Sequence, residues 1–150
     1  MTAADAPPLP CTGARLRRLT RRVTVFYEQY LRPVGLRLTQ YSVLVHLDTE
    51  AQSQQVLAHR LEMDRTTLTR ALKPLVAAGW VCRCEAGNDA RRRLFALTPA
   101  GVAQRNAAQI AWRKAQLALE AVLDRTEVAD LNAQLDAALE RLKPALPEEN

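Results

Sequence analysis

The run Asn88-Asp89-Ala90-Arg91-Arg92-Arg93-Leu94-Phe95-Ala96-Leu97-Thr98-Pro99-Ala100-Gly101 places a charged turn, a short apolar strand and a helix start within fourteen residues. Gly87, Asn88 and Asp89 tolerate positive φ, so the chain reverses there. Three successive arginines stand at or just after the tip. Mutual repulsion gives a purely structural loop nothing in return, so the cluster calls for an anion. Around the turn Gly87 to Arg92, the segments Trp80 to Glu85 and Arg93 to Leu97 read as two antiparallel strands. Thr98 followed by Pro99 is a helix opening: a side-chain cap, then a residue whose missing N–H is one the first turn leaves unpaired anyway.

Upstream of this hairpin lie short helical segments. Thr39 is expected to cap a helix from Gln40 to about Thr49, whose apolar positions Tyr41, Val43, Leu44, Val45 and Leu47 nearly encircle it and make it a central packing element. Ser53 is expected to cap the next, Gln54 to Leu61, with Val56, Leu57 and Leu61 inward. After the break at Glu62-Met63-Asp64, Arg65 to Ala78 reads as a further helix with Leu68, Leu72, Leu75 and Val76 inward, ended by Gly79. Its free face holds Arg65, Thr66, Thr67, Thr69, Arg70 and Lys73. Pro74 lies inside this helix, where it leaves the Arg70 carbonyl without a partner and predicts a mild kink.

Longer helices flank this unit. Leu16, Leu19, Val23, Phe26, Tyr27, Tyr30 and Leu31 recur at three and four from Arg15 to about Arg32-Pro33, and a helix of more than 20 residues is expected from Pro99 to about Leu123. Thr126 is expected to cap the last helix, which carries Val128, Leu131, Leu135, Leu139 and Leu142. These stripes exceed what one small lobe covers, which predicts a bundle shared by two chains.

Composition narrows the function. A chain of 150 residues with 48% hydrophobic content supports one sizeable core, and few aromatics or glycines favour helix. No apolar run is long enough to cross a bilayer, and Met1 to Pro10 lacks the order of a signal peptide, so a cytoplasmic protein is expected. Pro7, Pro8 and Pro10 make residues 1–14 an expected flexible arm. The net charge of +5 is unevenly spread. Arg15 to Arg37 holds seven basic residues against one acid, and Gln55 to Thr98 eight against four, while Glu120 onward holds three against eight acids. A basic front and an acidic tail suit a polyanion-binding face. The bases of the first helix serve either solvation or phosphate contact.

Enzyme chemistry finds no support. His46 and His59 are the only histidines, and no HExxH, CxxC or glycine-rich phosphate loop occurs. Cys82 and Cys84 share one side of a strand, but Cys-x-Cys with His59 is a weak zinc set, so neither metal nor cofactor is expected. The odd count of three cysteines argues against a disulfide framework.

Two short helices, a turn, a polar second helix and a two-stranded hairpin together make a winged helix-turn-helix. The spacing Asp89, Arg91, Leu97, Thr98, Gly101 resembles the signature of the MarR family of bacterial transcription regulators, and the likeness runs from Arg15 to about Leu142. It implies a mostly α chain: a winged helix-turn-helix lobe over 38–98 with a two-stranded β wing, and a helical dimerisation bundle from 15–37 and 99–146. It implies a homodimeric repressor on palindromic double-stranded DNA. Arg65, Thr66, Thr67, Thr69, Arg70 and Lys73 would then meet the major groove, with Arg92 and Arg93 in the contact set and Arg91, oriented by Asp89, in the minor groove. Release by a small aromatic or phenolic effector would involve Tyr27, Tyr30, Tyr41 and His46. Two alternatives stay open: redox sensing through Cys11, and a winged-helix module that binds protein rather than DNA.

Overall fold

The apolar period of the first segment becomes α1 (Thr12–Leu31), which starts three residues before the expected Arg15 and buries Tyr27 and Leu31. The computed structural model describes residues 11–84 and 93–143. Pro33 converts the end of α1 into a single 3-10 turn, Arg32–Val34, closed by Gly35 at φ 76°. α2 (Leu38–His46) begins before its expected cap. The Arg37 N–H donates to Gln40 Oε1 at 2.8 Å, which satisfies an orphan first-turn donor and leaves Thr39 inside the helix. α2 also stops short of Thr49, because Leu47 turns to extended backbone and takes a fully buried position.

A strand that periodicity does not announce follows. β1 (Gln52–Ser53) is two residues long and pairs with the wing through Gln52 against Phe95 and Ser53 against Leu94. The expected two-stranded wing is therefore a three-stranded antiparallel sheet, ordered β1-β3-β2, where β2 is Val81–Cys84 and β3 is Leu94–Leu97.

α3 (Gln54–Leu61) has the expected bounds and the expected cap, with Ser53 Oγ accepting from the Val56 N–H at 3.2 Å. It ends at Glu62, held at φ 48° in the left-handed region. Asp64 caps α4 (Arg65–Ala77). Its carboxylate accepts from the Thr67 N–H at 2.8 Å and from the Thr67 hydroxyl at 2.5 Å. α4 continues through Pro74, whose carbonyl accepts from the Ala78 N–H at 3.0 Å. Leu57, Leu68, Leu72 and Leu75 are buried as expected, but Val56 and Val76 are 52% and 36% exposed. On each helix the neighbouring leucine takes the interior, and one turn of helix cannot point both inward.

Gly79, at φ 73°, turns the chain from α4 into β2. Thr98 then joins three elements, its hydroxyl donating to the Gly79 carbonyl at 2.6 Å and accepting from the Gly101 N–H at 3.0 Å. α5 (Pro99–Leu123) starts there. A Cβ on Gly101 would stand 1.9 Å from the Trp80 carbonyl oxygen, so no side chain fits at this crossing. α6 (Arg125–Leu142) is capped by Asp124 rather than Thr126: the Asp124 carboxylate accepts from the Thr126 N–H at 2.8 Å, with Asp124 itself at φ 65°.

The core runs continuously from the lobe into the long helices. Buried Ala108, Ala111 and Ala115 give α5 a narrow stripe within the core that it shares with Tyr27 and Leu31 of α1. Arg105 Nη1 donates to the Leu47 carbonyl at 3.1 Å, and the Leu97 N–H donates to the Asp48 carbonyl at 2.8 Å. The sheet, α2 and α5 are thereby tied in one body. No helix among the described residues is long and apolar enough to cross a membrane.

Candidate nucleic-acid interface

The outward face of α4 carries Arg65, Thr66, Thr67, Thr69, Arg70 and Lys73, all exposed. Their polar groups are not equally free. Thr67 gives both its N–H and its hydroxyl to Asp64. Those two bonds hold the Asp64 carboxyl below the usual aspartate range. Thr69 donates to the Arg65 carbonyl at 2.7 Å and accepts from Gln54 Nε2 at 2.7 Å. Among the described residues the side chains of Arg65, Thr66, Arg70 and Lys73 have no hydrogen-bond partner, so their donors stand open to a ligand. A short hydroxyl beside two guanidinium groups and an ammonium is a set that can read base edges and neutralise phosphate together.

Between α4 and the sheet lies a cavity of about 220 Å³, lined by Gln54, Thr69, Leu72, Lys73, Val76, Arg83, Arg93 and Phe95. Three cations rim an apolar floor there. Arg93 is exposed where expected, and its carbonyl accepts from the Gln54 N–H at 3.1 Å, which pins the start of α3 to the wing. Asp89, Arg91 and Arg92 lie outside the described residues. The sequence reading missed Gln54 and Arg83. Arg83 alternates with the two cysteines on β2 and so points to the face that Phe95 shares, a signal the strand's period of two already carried.

The aromatic candidates divide. Tyr27 is buried and its hydroxyl donates to Gln116 Oε1 of α5. Tyr41 is buried and stacks on Trp112 with ring centroids 6.2 Å apart. Burial, and then the Glu120 carboxylate, raises the Tyr27 phenol pKa; burial raises that of Tyr41 too, against the pull of Arg113. Tyr30 is half-buried against Phe26, 5.9 Å between centroids. His46 is exposed and belongs elsewhere, its Nδ1 2.8 Å from the Ser42 carbonyl in an open depression of about 360 Å³ shared with Arg60 and Glu62. Trp112 and Gln116, one turn apart on α5, complete the tyrosine cluster and were not singled out from sequence.

Cys11 is exposed at the start of α1. The Cys82 and Cys84 sulfurs lie 3.5 Å apart. Among the described residues no three potential metal ligands come together, and His59 does not join the cysteine pair.

Residues 34–92 match the MarR family. The multiple antibiotic resistance protein MarR of Escherichia coli (strain K12) is 33% identical over 92 residues, which are 61% of this chain and 64% of the length of that protein. The transcriptional regulator MosR of M. tuberculosis, solved in complex with DNA, superposes with a TM-score of 0.67 at 33% identity, over 85% of this chain and 98% of that one. The transcriptional repressor CouR, bound to a 23-mer DNA duplex, gives a TM-score of 0.76 at 26% identity, over 86% and 92%. Sequence likeness above 30% across nearly the whole of a solved relative, together with the family match over residues 34–92, leads to one conclusion: the chain belongs to the MarR family.

Proposed function

We propose that the protein is a DNA-binding transcriptional regulator that acts as a homodimer, with α4 in the major groove and the wing residues Asp89, Arg91, Arg92 and Arg93 at the adjacent minor groove. The observation that carries this reading is the row of donors on α4, Arg65, Thr66, Arg70 and Lys73, that have no side-chain partner among the described residues, beside a cavity rimmed by Lys73, Arg83 and Arg93. Relatives of the same architecture have been solved on DNA, which supports it. Dimerisation through 15–37 and 99–146 is supported by apolar side chains left in water on all three long helices: Leu16 and Val25 on α1, Ile110, Leu117 and Val122 on α5, Leu139 and Leu142 on α6. A twofold dimer implies a palindromic operator.

The finer reading is a repressor released by a small aromatic molecule near Tyr27, Tyr30 and Tyr41. Its support is an aromatic cluster with phenol and amide groups at the junction of α1, α2 and α5, the lining such ligands use. A salt titration of duplex binding tests the main proposal. Affinity for random duplex should fall steeply and log-linearly with salt. A salt-independent interaction, or none, would leave the protein-interaction alternative. A thermal-shift screen of phenolic acids tests the effector, which should stabilise the chain in proportion to the logarithm of its concentration.

A further inference from the structure

Cys82 and Cys84 are alternate residues of β2, so both side chains leave the same face of the sheet, opposite Arg83. Their cross-strand partners are Ala96 and Leu94, and the Cys82 thiol also donates to the Ala96 carbonyl at 3.5 Å. Both sulfurs are half-buried and 3.5 Å apart.

That placement favours capture of one atom over a bond between the sulfurs. Alternate strand residues have Cα atoms about 6.7 Å apart with parallel Cβ directions. A disulfide wants Cβ atoms about 3.8 Å apart, so closing one would break the pleat. Two thiolates on one pyramidal trivalent centre, with bonds of about 2.3 Å as for thiolate on a soft ion and an angle of about 100°, stand about 3.5 Å apart, the spacing already present. The Cys84 thiol pKa is pushed up by the hydrogen bond with its neighbour's sulfur and then by burial.

We propose that Cys82 and Cys84 form a two-thiol site for a soft, thiophilic centre of the monosubstituted trivalent arsenical class, and that occupation weakens DNA binding. This class needs two thiols and no third protein ligand, which matches the pair. The step balances without an oxidant: two As–O bonds of the hydrated arsenical break and two As–S bonds form. Each thiol proton leaves with a hydroxide as water, and arsenic stays trivalent. The second half rests on the regulator reading above. β2 carries Arg83 to the cationic cavity on its other face, so locking Cys82 to Cys84 through one atom fixes the strand that places Arg83 and removes its freedom to adjust to a duplex.

The test uses the full chain as Cys11→Ser with phenylarsine oxide. Native mass spectrometry should show one equivalent per chain, with loss of both remaining thiols to a thiol reagent. The adduct should survive excess monothiol and be removed by a dithiol. An adduct stripped by monothiol, or one equally stable in Cys84→Ser, overturns the site. The loaded protein should bind duplex on the order of tenfold more weakly. Equal affinity overturns the coupling. If the unloaded protein binds no duplex, the regulator reading and the coupling fall together, and the mass measurement still decides the site.

Discussion

The outward face of α4 and the outward faces of α5 and α6 are both left incomplete by the fold, in opposite ways. On α4 the incomplete groups are polar: Arg70 and Lys73 expose donors with no partner among the described residues, on a helix whose opposite side is filled by Leu68, Leu72 and Leu75. On α5 and α6 they are apolar: Leu117 and Val122 are 67% and 69% exposed, beyond any need of the single chain's core. A face short of hydrogen-bond acceptors wants an anion, and a face short of apolar cover wants a second hydrophobic surface. Under the proposed reading, the difference suits one face to DNA and the other to a copy of the chain.

The joint between the two faces offers the largest break. Gly101→Val would drive a side chain into the Trp80 carbonyl, so α5 could not dock and both faces would lose their frame. We expect a loss of about 3 kcal/mol or more in chemical denaturation, beyond ordinary overpacking. A fold of unchanged stability would show that the crossing yields easily.

Ile110→Lys with Leu117→Lys should break only the apolar face. Both residues are more than half exposed, at 58% and 67%, so the chain should stay folded while self-association measured by sedimentation weakens by about a hundredfold. Unchanged association would move the dimer contact elsewhere. Arg70→Ala should break only the polar face, costing ~1 to 3 kcal/mol on the preferred operator and little on random duplex, whereas Lys73→Ala should weaken all duplexes alike. Equal losses for Arg70→Ala on both DNAs would make it a phosphate contact.

The smallest effect sharpens the comparison at the cap of α4. Asp64 has a carboxyl pKa below its unfolded value because Thr67 hydrogen-bonds the charged form. Its contribution is therefore present above the unfolded pKa, about 3.9, and lost as pH falls through the lower folded value. Asp64→Asn should be slightly less stable than the parent at neutral pH, with the gap closing under strong acid. A gap that widens under acid would show that the charge contributes nothing.

Much of this was legible from single residues. Ser53 fixed the start of α3 because a hydroxyl before an apolar run is a strong cap signal, and Thr98-Pro99 fixed α5 for a similar reason. The misreadings have specific causes. Arg37 is no ordinary cap; the Gln40 side chain sets the start of α2 from within, a signal visible only when position N3 is read backwards. Asp124 outcompeted Thr126 by accepting a backbone N–H at a positive φ that composition does not reveal. β1 is two residues long, too short for any period. Within the site, α4's polar face was read from spacing, but which threonines are already bonded depended on Asp64 and Gln54, whose reach is a property of the folded chain. Trp112 and Gln116 lay on a helix read only for its stripe.

Gln54 has the widest reach of any of these. Its backbone N–H bonds to Arg93 at the wing, and its side chain bonds to Thr69 on α4, so one residue registers the helix against the hairpin. Under the proposed reading, the gap between the major-groove element and the minor-groove element would be set in advance, like the jaws of a caliper. Such an instrument gauges the duplex as well as reading its bases: operators whose twist or groove width misfits the fixed opening would be rejected through the energy of deforming DNA, at positions no side chain touches. A shorter residue at position 54 would loosen the jaws and let sequences through that differ only in shape.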